Sequence, residues 1–593
     1  RINGLDGPYT QILLDSRPIF SALSGVYGIE QIPASMIERV EVMRGGGSAL
    51  FGSSAIAGTI NIITKEPMRN SGMLSHTITG IGDGDVFDNS TALNASLVTD
   101  DQRAGLYIFG QNRHRSAYDH DGDGYSEIPK LHGQTIGFRS FLKTTTYSKL
   151  TFEYHHMEEF RRGGDLLNRP PHEANVAEQT EHSINGGGLK FDYFSPNENH
   201  RFNVFASAQH INRDSYYGPG DRDPLDAYGN TTDLNWMAGS QYVYSFGKCI
   251  FMPSDLTAGI EFNQDKLEDN MWGYNRTVDQ KVNIGSAFLQ NEWKNDHWGF
   301  LIGGRLDKHN LIDHVIFSPR ANLRYNPTEN INLRFSYSSG FRAPQAFDED
   351  LHVENVGGNV AMVELADNLK EERSQSLSAS ADIYHRFGAF QVNFLVEGFY
   401  TKLSDVFALT DGEVVDGILT RTRHNASGAQ VLGLTLEGKM AYLNKIQVQA
   451  GVTLQQSHYS KPHIWNKEAP AVKKMMRTPN TYGYFTATYT PIKPLSIALS
   501  GTYTGSMLVP HEPVPGFLEK PITVNTKDFF DIGLKAAYDF KLYKSMNLQL
   551  NAGIQNIFNA YQDDFDKGAD RDSGYIYGPS LPRSFFAGVK ISY

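Results

Sequence analysis

The 593-residue sequence predicts an all-β membrane protein: a 22-stranded antiparallel transmembrane β-barrel with an N-terminal plug domain in its lumen. Three observations carry this reading. Apolar and polar side chains alternate with period two over runs longer than the mean strand of a soluble sheet. Tight turns alternate with long polar connections, as in a barrel with short turns at one rim and large loops at the other. Residues 37–67, "IERVEVMRGGGSALFGSSAIAGTINIITKEP", set two β-like runs around a stretch of Gly, Ala and Ser where a core helix would need bulk.

Composition narrows the class. Aromatic residues make up 12% of the chain, yet mean hydropathy is only −0.40; that pairing suits strands that are oily on one face and polar on the other. No run approaches the ~18 apolar residues of a membrane helix. A helical membrane protein is excluded. The single Cys249 excludes a disulfide framework and a thiolate metal cluster. A net charge of −12 argues against nucleic acid as a partner.

Taken in order, the chain opens on "RINGLDGPYTQILLDSRP", already strand-like, so residues upstream of Arg1 are expected. "IERVEVM" and "TINIIT" follow as two strands joined by the glycine-rich stretch. Inside a barrel a segment has wall on every side, and close backbone approach demands Gly, Ala and Ser. A phosphate-cradling loop fails on detail: no G-x-x-x-x-G-K-[ST] occurs, and "FGKC" and "EGKM" are the nearest approaches. The plug is assigned to residues 1–67 and the barrel to 68–593.

The wall reads from alternation. In "RSFFAGVKISY", Phe585, Ala587, Val589, Ile591 and Tyr593 share one face and Ser584, Gly588, Lys590 and Ser592 the other. Leu548, Leu550, Ala552 and Ile554 repeat the pattern, as do Ile331, Leu333, Phe335 and Tyr337. Polar segments at 113–133, 158–183, 213–235, 343–371 and 561–583 read as long loops, and "YNPTEN" as a turn. Divided among about 22 strands, residues 68–593 leave roughly 24 residues for each strand and its connection. A barrel so wide needs a plug.

These motifs resemble one family. "IERVEVMRGGGSALFGSSAIAGTINIIT", with "LLDSRPI" before it, looks like the plug signature of TonB-dependent outer-membrane receptors. "NAGIQNIFNAYQ" and the final strand ending in an aromatic residue look like that family's closing strands, and "GFRAPQAFDEDL" resembles its barrel box. The resemblance implies a gated importer in the outer membrane of a Gram-negative bacterium, embedded in outer-membrane lipid and energised through TonB. TonB would engage an N-terminal segment absent from this sequence. Some receptors of the family also carry a surface lipoprotein lid. For substrate, the resemblance leans to cobalamin or a related corrinoid, on the plug turn, the acidic loop and the modest barrel length. Heme follows, then a ferric siderophore. A passive porin or a soluble adhesin would share the alternation without needing the glycine-rich insert.

Several residues are candidates for chemistry. Ser24 and Tyr27, in the plug turn "IFSALSGVYGIEQIP", are placed to meet ligand, as is a tyrosine group, Tyr216, Tyr217 and Tyr228; that group reads equally as an interfacial aromatic girdle. His352, following the "FRAP" box, is a candidate heme ligand by resemblance. "DHDGDGYSEIP" sets Asp119, Asp121, Asp123 and Glu127 in the spacing of half an EF-hand, with Lys130 where the bidentate Glu belongs. Calcium and a solvated acidic loop are both compatible with it. Arg39 and Arg44, beside Glu38 and Glu41, are candidates for a plug–barrel latch, because a charge inside a lumen must pair.

Catalysis has no support. There is no G-x-S-x-G elbow, and "HEANV" at 172–176 lacks the second His of H-E-x-x-H. The expectation is a protein that is not an enzyme and has no catalytic cofactor.

Overall fold

A computed structural model describes residues 2, 5, 7–18, 32–45, 47–48, 52–219, 228–346, 351, 353–356 and 359–593. Four short strands near the N-terminus form one sheet: β1 (Thr10–Leu14), β2 (Arg17–Pro18), β3 (Ile37–Arg44) and β4 (Gly58–Thr64), in the order β2-β1-β4-β3. The strand β4 is central, parallel to β1 and antiparallel to β3. Both of its backbone edges are therefore paired, and Ile62, 3% exposed, is buried against wall residues Tyr107 and Phe109.

From Ser71 onward the chain builds a closed barrel of 22 spanning strands, plus a three-residue strand, Val472–Lys474, added at one rim. The last strand, Ser584–Ser592, pairs antiparallel with the first, Ser71–Ile81, in the register Val589 to His76. Closure leaves the wall no free edge, the condition for β-structure in lipid. Phe585, Val589, Ile591, Leu550, Leu333 and Phe335 stand exposed on the outer face, where lipid takes the place of water. The alternation read from the sequence is thus the boundary between lipid and lumen.

Every second connection is tight, for example between Thr145 and Ser148, Phe387 and Phe390, or Tyr543 and Met546. Aromatic pairs gather at this rim, with Trp298 stacked on Tyr325 at 4.2 Å and Phe390 beside Tyr442. It is the periplasmic end by the rule for bacterial barrels, and the long loops are extracellular.

The sheet of β1–β4 packs against the lumen wall. Leu14, Met36 and Ile62 meet wall residues Tyr107 and Phe109, while Ile2, Leu5, Ile56 and Ala57 meet Phe399, Leu403 and Val431. Small residues permit this contact. A Cβ on Gly47 would stand 2.9 Å from Met43 Cε, and one on wall residue Gly340 3.0 Å from Ser48 Oγ of the plug.

A second sheet closes the outer mouth. Strands Glu354–Val356 and Asn359–Leu365 of one long loop join Phe407–Val415 and Ile418–Asn425 of the next, through a parallel pairing of Asn359–Leu365 with Ile418–Asn425. Two loops thereby form one lid.

Candidate functional site

The site lies where plug, wall and lid meet. Arg44, the last residue of β3, points at two adjacent wall strands; its guanidinium donates 3.2 Å to Glu397 and also to Glu437. Glu397 and Glu437 keep 14% and 9% of their side-chain surface, so their charges depend on this cation. The carboxylates hold Arg44 in its charged form against the burial that opposes it. Arg39 behaves differently: it pairs with Glu41 on its own strand, and both are largely exposed. Residues 39 and 41 share one face of β3, and residue 44 has the opposite parity.

The opposite side of the plug is pinned by other residues. Arg139 of the wall donates to Asp15 and Thr64 and lies 3.5 Å from Glu153, Arg17 donates 2.6 Å to Glu153, and Lys149 meets Glu66 at 2.9 Å.

The two motifs singled out by sequence touch. Phe341 N–H donates to Ser48 Oγ, Ala343 N–H to Ser53 Oγ, and Ser54 N–H to the Phe341 carbonyl. The glycine-rich loop of the plug is therefore bonded to the "FRAP" box, from which the lid loop departs. Just beyond it, Glu372 is fully buried and accepts from the Tyr9 hydroxyl at 3.0 Å and from Phe407 N–H at 2.6 Å. Nothing in the sequence distinguished Glu372, which sits in an ordinary polar run, "LKEERSQ".

The lid's apolar residues dock on the inner wall. Leu351 and Ala346 pack with Met157, Ile184, Ile211 and Leu267, and Val353, Val360 and Met362 with Tyr216, Tyr217, Met271 and Tyr274. Tyr216 and Tyr217 are accordingly enclosed, at 0% and 1% exposure. In this structure they stand under the lid rather than open to the mouth or to lipid. Tyr228 is half-buried, with His172 Nδ1 3.1 Å from its hydroxyl.

In the acidic loop, Asp119, Asp121 and Glu127 bring carboxylate oxygens within 4.8 Å of one another. Asp123 is not in this group. Its carboxylate instead takes Arg571 at 2.5 Å and Gly568 N–H at 2.8 Å, both from the last long loop. Asp119 already accepts from Gly122 and Gly124 N–H, and Arg571 also reaches Glu127. Asp121 Oδ2 accepts no hydrogen bond among the described residues, with Lys567 Nζ 3.5 Å away. Three oxygens so placed fit a hard cation in part, since calcium takes six to eight. Ser24, Tyr27 and His352 lie outside the described residues.

Comparison with known proteins agrees with this geometry. The family model "TonB dependent receptor-like, beta-barrel" matches residues 72–557, and "TonB-dependent Receptor Plug Domain" matches 1–59. The chain is 26% identical over 383 residues to an iron-regulated outer membrane virulence protein of Vibrio cholerae, covering 60% of this chain and 54% of that protein. It is 23% identical over 360 residues to the vitamin B12 transporter BtuB of Vibrio vulnificus, covering 58% and 54%. The chain thus spans about half the length of these curated relatives. The crystal structure of the siderophore receptor PirA from Acinetobacter baumannii superposes with a TM-score of 0.80 at 17% identity, covering 100% of this chain and 92% of that one. With a plug in a closed 22-stranded barrel and family models matching both parts, the chain belongs to the TonB-dependent receptors of the Gram-negative outer membrane, a family of transport receptors rather than enzymes.

Proposed function

We propose that the chain is a gated importer energised through TonB, and that its substrate is a bulky, near-neutral nutrient of the corrinoid type, cobalamin foremost. The observation carrying the substrate class is the charge balance around the outer lumen. Among the described residues, Arg213 and Arg276 face Asp269, Arg305 faces Glu261 and Asp307, Arg421 faces Asp411, and Arg571 faces Asp123 and Glu127, while Arg162 donates to the carbonyls of Gly163 and Asp165. Cations already neutralised offer little to a strongly anionic ferric chelate. An electroneutral macrocycle asks instead for apolar faces and a few hydrogen-bonding groups. The likeness to a vitamin B12 transporter supports this reading.

A second reading is an iron chelate, heme or a ferric siderophore. It is supported by the relative named iron-regulated and by the siderophore receptor of the same fold. The plug argues against a permanently open porin.

The test is equilibrium binding of cyanocobalamin, Fe(III) heme and a ferric catecholate to the purified protein. Saturable binding of cyanocobalamin with weak or absent binding of the chelates is expected. A heme Soret shift that disappears in His352→Ala would replace the corrinoid with heme.

Calcium is proposed as a staple of the acidic loop through Asp119, Asp121 and Glu127. Added calcium is expected to slow proteolysis between residues 116 and 125 in wild type and not in Asp121→Asn. Equal cleavage rates with and without calcium would remove the ion from the loop and leave its neutralisation to Arg571 and Lys567 among the described residues.

A further inference from the structure

Four residues from plug, wall and lid converge on one buried carboxylate. Glu372 opens a wall strand, Glu372–Phe387, and is 0% exposed. The plug supplies the Tyr9 hydroxyl at 3.0 Å, and Tyr9 is itself fixed because its carbonyl accepts from Ile56 and Ala57 N–H of the glycine-rich loop. The wall supplies Arg342, 3.8 Å from Glu372 Oε2 and 4% exposed. The lid supplies Phe407, whose N–H donates to Glu372 and whose ring carries Arg342 at 5.5 Å and the buried Arg423 at 5.8 Å. Arg423 belongs to the lid strand Ile418–Asn425, the one paired across to the other loop.

We propose that Glu372 is a positioning residue that couples the lid to the plug, an inference that rests on the import reading above. A buried carboxylate is held by the sum of its donors and nearby cations, and here these are divided among the plug, the wall and the lid. With the lid down, Glu372 has Phe407 N–H, the neighbouring guanidinium groups and Tyr9 around it. The lid's apolar residues occupy the inner wall in that state, so a bulky ligand entering the mouth displaces them. Lifting the lid withdraws Phe407 and Arg423 together. Glu372 is then left with less compensation, draws in water, and loosens its hold on Tyr9 at the head of β1. The "FRAP" root, bonded to Ser48 and Ser53, transmits the same displacement to the glycine-rich loop. Ligand arrival outside is in this way converted into a weaker plug anchor inside.

The test is hydrogen exchange of the intact receptor without ligand, in wild type, Tyr9→Phe, Phe407→Ala and Glu372→Gln. Tyr9→Phe alters only the plug, yet should speed exchange of lid amides in 407–411 and 418–425 by about tenfold, the equivalent of one hydrogen bond to a charged group. Phe407→Ala keeps the backbone N–H but removes the lid ring that seats Arg342 and Arg423 beside Glu372, and should speed exchange in β1 and β4. Glu372→Gln should do both, with partial recovery in Glu372→Asp. Changes confined to the body that carries the substitution would overturn the proposal and leave a merely structural cluster. Because no ligand is present, the outcome is separate from the import reading. Coupled exchange without ligand uptake by wild type would sink import alone, and uptake with uncoupled exchange would sink the relay alone. Should Glu372→Gln fail to fold, the Tyr9 and Phe407 variants still decide.

Discussion

Arg44→Ala is expected to loosen the plug on one side of the barrel and to make a closed pore leak. The substitution leaves Glu397 and Glu437 facing each other across the neighbouring strands Phe390–Ser404 and Ala429–Tyr442 with no cation between them. Removing one partner of a buried ion pair costs about 3–5 kcal/mol. Arg44 keeps 31% of its side-chain surface, so the lower end, about 3 kcal/mol, applies. Loss of anchoring should be one-sided, because Arg139, Arg17 and Lys149 still hold Asp15, Glu153 and Glu66 on the other side. A cavity of about 350 Å³, whose lining includes the polar Gln391, Asn393, Lys439, Gln449, Thr486 and Thr488 and the apolar Val392 and Met440, lies on the periplasmic side of Glu397 and Glu437 along the same strands. That is the route a leak should take. In planar bilayers Arg44→Ala should raise conductance over wild type. Adding Glu397→Gln and Glu437→Gln should recover part of the lost stability, since the triple change removes the repulsion along with the attraction. Wild-type conductance together with unchanged exchange in β3 would mean that the pair is not a latch.

What the sequence revealed follows from the range of the forces concerned. The wall was legible because lipid and lumen impose period two residue by residue, and Leu333, Phe335, Val589 and Ile591 record it locally. The plug was legible from its small residues, and Gly47 and Gly340 stand where a Cβ would crowd. That Arg44 needed a carboxylate was also readable, but its partners are 353 and 393 residues away and no local rule selects them. Asp123 illustrates the same limit: its D-x-D-x-D-G setting suggests a cation site, while its carboxylate is taken by Arg571, 448 residues on. The burial of Tyr216 and Tyr217 was not legible for a related reason. Their cover is a sheet made from two loops in parallel pairing, and "NVAMVEL" and "ILTRTRHN" are too short and too distant to announce it. Glu372 gave no signal at all, because its meaning arises only where plug, wall and lid converge.

Cohesion of the extracellular loops should fall as pH rises from about 4.5 to 7, and Glu512 should be the cause. Four loops meet at this residue. Arg421 and Asp411 come from the lid sheet, Asn466 from the next loop, and Asp572 from the last, where its carboxylate accepts Glu512 N–H at 3.0 Å. Burial first, then Asp411 and Asp572 against the opposing pull of Arg421, push the Glu512 carboxyl up from its ordinary 4.5 to about 7. The sign follows from linkage. Below 4.5 the carboxyl is protonated whether the loops are closed or open, so it exerts no pH-dependent force. Between 4.5 and 7 the open form loses the proton while the closed form keeps it, and closure weakens by about 3 kcal/mol before levelling off above 7. Protease cleavage within 512–521 should accelerate from pH 5 to pH 8 in wild type. Glu512→Gln keeps an acceptor for Arg421 and removes the charge, so its loops should resist cleavage at pH 8 and its profile should be flat. A Glu512→Gln profile as steep as wild type would leave Glu512 a spectator.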